Sequence, residues 1–174
     1  MAGLVEIALL PVTLNPDSLS VGLAGQGEAL ARRAALLTEA GVYPATVSAE
    51  TPALGGLHVL FVAGLPAKDA ARLARQARDV GILVNVEDVP QLCDFHVPAI
   101  VRRGDLLLTV STGGKSPGLA RLIREWLEKR LGLEWTGRLQ SVSQAREQWR
   151  KQGHTPAEVS LRTEDYVAER DWLA

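Results

Sequence analysis

The feature that most constrains this chain is an alternation of two kinds of segment across its first half. Short apolar runs ending in glycine or acid take turns with longer stretches whose apolar residues recur at helical spacing. The run from Ser18 to Ala24 enters the glycine turn "GLAGQG", and the following "EALARRAALLTEAG" sets Leu30, Ala34 and Leu37 on one face before stopping at Gly41. Val42 to Val47 reads as a second strand. "HVLFVA" (His58 to Ala63) has the continuous apolar character of a strand buried on both faces, and Pro66 opens the helix "AKDAARLARQARDVG". A fourth strand, "ILVNV" (Ile82 to Val86), ends at Glu87-Asp88. Strand and helix alternate, so the pattern predicts an α/β fold: a parallel sheet covered by helices on both faces. Ligands of such sheets sit at the carboxyl ends of the strands. The glycine turn, Glu87-Asp88 and the loop Ser111 to Pro117 each follow an apolar run, and they are expected to converge on one crevice.

Composition narrows the functional classes. A chain of 174 residues with a 47% hydrophobic fraction has room for one full domain and an appendage. The net charge of −1 is made of interspersed charges, which argues against nucleic acid or an anionic membrane as partner and makes any anion site local. No apolar stretch approaches the roughly 18 to 20 residues needed to span a bilayer, and the amino terminus carries "VE" where a secretory signal would carry basic residues. Cys93 is the only cysteine, which excludes an internal disulfide and a multi-cysteine metal cage. A cytoplasmic protein is expected.

The glycine turn suggests a nucleotide. Gly25-Gln26-Gly27 follows a strand and Glu28 begins a helix, so missing Cβ atoms and unpaired N–H groups would face a pyrophosphate together. Leu30 stands where the dinucleotide fingerprint has its third small residue, although Gly22, Gly25 and Gly27 also fit a GxxGxG spacing. Glu50 lies near the place of the acid that contacts the adenosine ribose. The alternative is a tight strand-to-helix turn with no ligand. Farther on, Ser116-Pro117 gives a helix start, after which Leu119, Leu122, Ile123, Trp126, Leu127 and Leu131 share a face that is either core or dimer seam. Lys115, Arg121 and Arg124 with Gly113-Gly114 can form an anion patch, or else a solvated basic face.

The stretch "VNVEDVPQLCDFHVPAIVRRGDLLLTVSTGGKSPGLARLIREWLEKRL" resembles the precorrin-2 dehydrogenases, the amino-terminal module of siroheme synthases. Their pattern is close to VNVVDDPxLCDFxxPAIVxRxxLxVAISTGGxSPxLARxLRxxIE. "GQGEALARRAALLTEAG" also resembles that family's GGGxVAxRKAxxLLxxGA, so the likeness spans most of residues 20 to 135. The resemblance implies a Rossmann-like fold, NAD as cofactor, and oxidation of precorrin-2 to sirohydrochlorin, with ferrous iron entering only as the substrate of a chelatase step in some members. It places the family's essential aspartate on Asp88 and its nucleotide glycines on Gly25 and Gly27. The substrate loop falls on Ser111, Thr112, Gly113, Gly114 and Lys115, with Arg121 beyond it.

A carboxylate beside the cofactor is a reasonable general base for the proton left after hydride transfer, and Asp88 fits that role; otherwise it would cap the turn before Pro90. A tetrapyrrole rich in carboxylates would suit a rim of Arg102, Arg103, Lys115, Arg121 and Arg124. His96 is a candidate transient metal ligand or a packed loop residue, and no resident metal site is expected. Gln26, Leu30 and "AGLPAKD" (Ala63 to Asp69, where the family usually has ATDD) depart from the pattern. They motivate a second class of function, a tetrapyrrole-binding or chelatase relative with impaired NAD use. The expected organisation is a nucleotide domain over 1–110, a loop and dimerisation helix over 111–135, and a helical region over 136–174 in a homodimer. Helices are expected from about Gly137 to Gln152 and from Pro156, with Trp126, Trp135, Trp149 and Trp172 as core or interface aromatics. No methyltransferase is expected.

Overall fold

The computed structural model describes residues 9–173. Val5-Glu6, on which the expectation of no secretory signal rests, lies outside them. The chain divides into two compact units, Met1–Val97 and Pro98–Ala174.

The first unit is a four-stranded parallel sheet in the order β2-β1-β3-β4, built from β1 (Val21–Gly25), β2 (Ala45–Thr46), β3 (Val59–Ala63) and β4 (Leu83–Val86). Its register is continuous, with Gly22 opposite Ala45 and Leu60, and Leu60 opposite Val84. Helices α1 (Gly27–Glu39) and α2 (Ala67–Asp79) supply the crossovers. The two-residue period of β3 divides the core between the faces of the sheet. Val59 and Phe61 pack with Val21, Leu23 and Leu37 of α1, while Leu60 and Val62 pack with Ala70, Leu73, Ala74 and Ala77 of α2. All five residues of β3 are buried, as its unbroken apolar run predicts. This is the α/β parallel sheet that the alternation predicts, in the Rossmann-like arrangement that the resemblance implies.

The segment after β4 is tied down by backbone-like pairing that its sequence does not advertise. Asp94 accepts a hydrogen bond from the Val84 N–H at 2.8 Å and returns one through its own N–H to the Val84 carbonyl, also at 2.8 Å. The Cys93 thiol accepts from the Val86 N–H at 3.3 Å and donates to the Val86 carbonyl at 3.2 Å. Asn85, the one buried polar residue among the described residues, donates to the Phe95 carbonyl, and Phe95 meets Phe61 edge to face at 5.4 Å. Cys93 is therefore a packing and hydrogen-bonding residue.

The second unit holds an antiparallel hairpin, β5 (Ala99–Arg103) and β6 (Leu106–Val110), and three helices: α3 (Pro117–Arg130), α4 (Trp135–Lys151) and α5 (Pro156–Ala168). Gly104-Asp105 is the two-residue hairpin connection, and Gly104 at φ +60 gives its first position the backbone such turns need. This corrects one expectation. The loop Ser111 to Pro117 does follow a strand, but β6 pairs only with β5 among the described residues, so the rule for parallel-sheet edges does not reach that loop. The hairpin belongs by its contacts with the helical unit, which starts at Pro98.

Arg103 explains part of that association. Its guanidinium donates to the carbonyls of Leu131 (2.6 Å) and Glu128 (3.2 Å) at the carboxyl end of α3, satisfying groups a helix leaves unpaired there. Farther along, Trp135, Trp149, Tyr166 and Trp172 form edge-to-face pairs, and the Arg138 guanidinium lies 4.9 and 5.3 Å from the Trp135 and Trp172 ring centres. Trp135, Trp149 and Trp172 are partly buried aromatics packed within the helical unit; Trp126 is half exposed. Among the described residues no helix is long and apolar enough to cross a membrane.

Candidate functional site

Parallel strands end on one edge, so the glycine turn after β1, the loop after β2 that carries Glu50, and Glu87-Asp88 after β4 share the carboxyl edge of the first unit. Asp88 stands two strands from β1, about 10 Å by ordinary strand spacing.

The three glycines of the turn have three different reasons to be glycine. Gly22 lies inside β1, where a Cβ would come within 2.7 Å of Leu57 and 2.9 Å of Val47. Gly25, at φ +154, would drive a Cβ into the Ala63 carbonyl, and the next N–H, of Gln26, donates to that same oxygen at 3.1 Å. Both serve packing between strands. Gly27 differs: at φ +66 it begins α1, and none of the described residues lies within 4 Å of where its Cβ would be. Gln26 is extended, and among the described residues no side chain caps the helix. The first N–H groups of α1 thus open onto space beside a residue without a side chain, a cradle that fits a phosphate group.

Leu30 turns inward and packs against the α1 side of the core. The close approach that a small residue at position 30 would give is supplied from β3 instead. Gly64, at φ +70, sits against the Gln26 carbonyl, and a Cβ there would lie 3.2 Å from that of Ala29. Sequence reading missed Gly64; its signal is a glycine directly after a fully buried strand that pairs with the glycine-turn strand.

Glu50 is exposed in a loop whose amide groups are organised by Ser48, the hydroxyl of which accepts from the Glu50 and Thr51 N–H groups at 3.3 Å. Asp88 is exposed and holds φ +60, left-handed backbone that costs any residue with a Cβ. Beside it the Glu87 carboxylate, 18% exposed, lies 3.9 Å from both Arg32 and Arg33 of α1, and Arg33 (12% exposed) also stacks over Phe61 at 5.4 Å. The Glu87-Asp88 turn is therefore charge-linked to the helix that begins at Gly27. Sequence reading did not assign that link. Glu28 projects into solvent, with Arg32 at 3.9 Å. His96 is exposed, and among the described residues it makes no hydrogen bond or ion pair and no three His, Cys, Asp or Glu side chains stand together as a metal cluster.

In the second unit the Ser111 to Pro117 loop satisfies itself. The Thr112 hydroxyl donates to the Ser116 carbonyl at 3.0 Å and accepts from the Ser116 N–H at 3.1 Å. The Ser111 hydroxyl accepts from the Gly113 N–H, and Ser116 caps α3 by accepting from the Leu119 N–H. Gly113 and Gly114 take φ +60 and +78, and the Lys115 N–H donates to the Thr112 carbonyl. Arg121 pairs with Glu125 at 2.8 Å, and Arg124 with Glu128 at 2.7 Å, so these two arginines of the expected rim are matched on their own helix. Arg103 is spent on capping α3 and drops out of the expected rim. Leu119, Leu122, Ile123 and Trp126 form an exposed apolar stripe, 37 to 55% accessible.

Comparison with known proteins agrees with this division. Residues 12–99 match the family described as "Putative NAD(P)-binding", and residues 103–130 match the family described as "Sirohaem biosynthesis protein central". The chain is 36% identical over 141 residues to a siroheme synthase of Methylococcus capsulatus, covering 68% of this chain and 30% of that protein. It is 32% identical over 199 residues to siroheme synthase 2 of Aeromonas hydrophila subsp. hydrophila, covering 94% and 42%. It thus spans less than half the length of these relatives. In fold it is similar to the solved structure of SirC, precorrin-2 dehydrogenase, with a TM-score of 0.73 over 95% of this chain and 93% of that one at 19% identity.

Proposed function

The chain belongs to the siroheme synthase and precorrin-2 dehydrogenase family, and from that premise we propose that it oxidises precorrin-2 to sirohydrochlorin in the cytoplasm with NAD⁺ as the oxidant. One observation carries the reading. The open, uncapped start of α1 at Gly27 shares a sheet edge with an exposed carboxylate, Asp88, held in a strained backbone conformation. Strain of this kind persists where the surroundings enforce it, and it clusters at functional sites.

Gly25, Gln26 and Gly27 would hold the pyrophosphate, with Glu28 at the mouth of the turn and Glu50 on the adenosine ribose. When bound, NAD supplies the hydride acceptor. Asp88 takes the proton that leaves the macrocycle as the hydride departs. Were ferrous iron inserted as a second substrate, the same carboxylate would serve as acceptor for pyrrole protons. The loop Ser111, Thr112, Gly113, Gly114 and Lys115 would meet substrate carboxylates through backbone N–H groups and the lysine, because its hydroxyls are engaged within the loop. Arg121 would join only by exchanging its partner Glu125. The apolar stripe of α3 would form a homodimer seam, which light scattering of the purified chain measures directly.

The test is anaerobic incubation of the protein with enzymatically generated precorrin-2 and NAD⁺, followed by absorption. Turnover that disappears in Asp88→Ala supports the dehydrogenase. A folded protein that binds the tetrapyrrole without turnover moves the assignment to the chelatase or tetrapyrrole-binding relative.

A further inference from the structure

We propose that Arg72 is a positioning residue of the nucleotide site: it fixes the loop that presents Glu50, an inference that rests on the proposed use of NAD. The loop leaves the core at Val47, whose N–H donates to the Leu23 carbonyl and whose side chain is buried. From Ser48 to Thr51, among the described residues, its remaining hydrogen bonds are internal, all to the Ser48 hydroxyl, with one exception. The Arg72 guanidinium, on α2, donates to the Ala49 carbonyl at 2.7 Å. That bond joins the residue before Glu50 to a different element, and it is the shortest the loop makes.

Arg72 is itself held in place. The nitrogen that reaches Ala49 also lies 3.3 Å from the Asp69 carboxylate, and the other terminal nitrogen donates to the Gln76 side chain at 3.3 Å. Residues one turn before and one turn after thus orient the planar fork, which loses little further freedom in gripping the loop. Charge follows the same division. Asp69 neutralises Arg72, so the cation serves as a donor to the carbonyl, and Glu50 stays the exposed charge of the loop, suited to ribose hydroxyls. Without Arg72 the Ser48 turn would persist while its attachment to α2 was lost.

The experiment is titration of NADH into the full chain, read by nucleotide fluorescence, for the wild type, Arg72→Met, Arg72→Lys, Glu50→Gln and the double variant Arg72→Met/Glu50→Gln. Arg72→Met should weaken NADH binding about tenfold, the scale of one charge-assisted hydrogen bond. Arg72→Lys should recover most of that loss, because an ammonium can still donate to the Ala49 carbonyl. The double variant should bind no more weakly than Glu50→Gln alone, since an effect exerted through Glu50 has nothing left to act on. Wild-type affinity in Arg72→Met, or losses that multiply in the double variant, would overturn the assignment while leaving the NAD reading intact. A wild-type protein that does not bind NADH would overturn both.

Discussion

Two strand–glycine–helix junctions of this protein, Gly25–Glu28 before α1 and Ser111–Pro117 before α3, look alike in sequence and differ in how they satisfy their backbone. At the second, Thr112 bonds both polar backbone groups of Ser116, and Ser116 caps the helix. At the first, among the described residues, no side chain caps α1 and none stands beside Gly27. A turn that completes its own hydrogen bonds is a fixed shape. One that leaves helix N–H groups open is a receptor for something else. Glycine content alone does not separate the two; the polar residues around the glycines do.

Substitutions can break or sharpen this contrast. The largest effect belongs to Gly25→Ala, which must displace the Ala63 carbonyl and accept φ +154; it should cost about 3 kcal/mol by chemical denaturation. Gly113→Ala, with open space around it, should cost only about 1 kcal/mol for its positive φ. Equal losses would erase the distinction between packing and conformation. Next, Thr112→Val should destabilise the helical unit by about 1–2 kcal/mol, since two hydrogen bonds go at once. Gly27→Ala should cost about 1 kcal/mol of stability yet lower NADH affinity about tenfold, because its Cβ enters the space assigned to phosphate. Asp88→Gly should gain about 0.5–1 kcal/mol by relieving φ +60, while abolishing turnover.

The smallest effect concerns α5, a third helix start and the most closed. The Glu158 carboxyl accepts first from the Thr155 N–H and then from the Thr155 hydroxyl, and these bonds hold its pKa below the ordinary value. A depressed carboxylate contributes fully above its unfolded pKa and loses that contribution as pH falls through the lower, folded value. Amide exchange in the first turn of α5 should therefore rise on acidification past the ordinary carboxylate range, and Glu158→Gln should flatten that dependence.

Much of the first unit was legible because its signals are local and repeated. Apolar runs, helical spacing and punctuation by Gly41 and Pro66 placed β1, α1, β3, α2 and β4 within a few residues. The α3 stripe from Leu119 to Trp126 was also readable as a surface awaiting either core or partner. What escaped depends on contacts distant in sequence. Arg103 reads as one more basic residue until it meets the end of α3, and Gly64 gains its meaning only when β3 lies against the glycine turn. The β5–β6 hairpin was missed as an antiparallel pair because two apolar runs on either side of Gly104-Asp105 carry no mark of which sheet they join. For the proposed site, sequence suffices to nominate Gly27, Glu50 and Asp88 as candidates. It does not suffice for the arginines that hold their surroundings, Arg33 through Glu87 and Arg72 through Ala49.

The most direct measurement of the central claim is hydrogen–deuterium exchange of backbone amides with and without saturating NAD⁺. In the free protein the amides of Gly27 to Ala29 should exchange rapidly, whereas those of Ser116 and Leu119, already bonded, should be slow. NAD⁺ should slow the first group. Exchange at Gly27 to Ala29 that is unchanged by the nucleotide would contradict the account and leave the turn as a connection between β1 and α1.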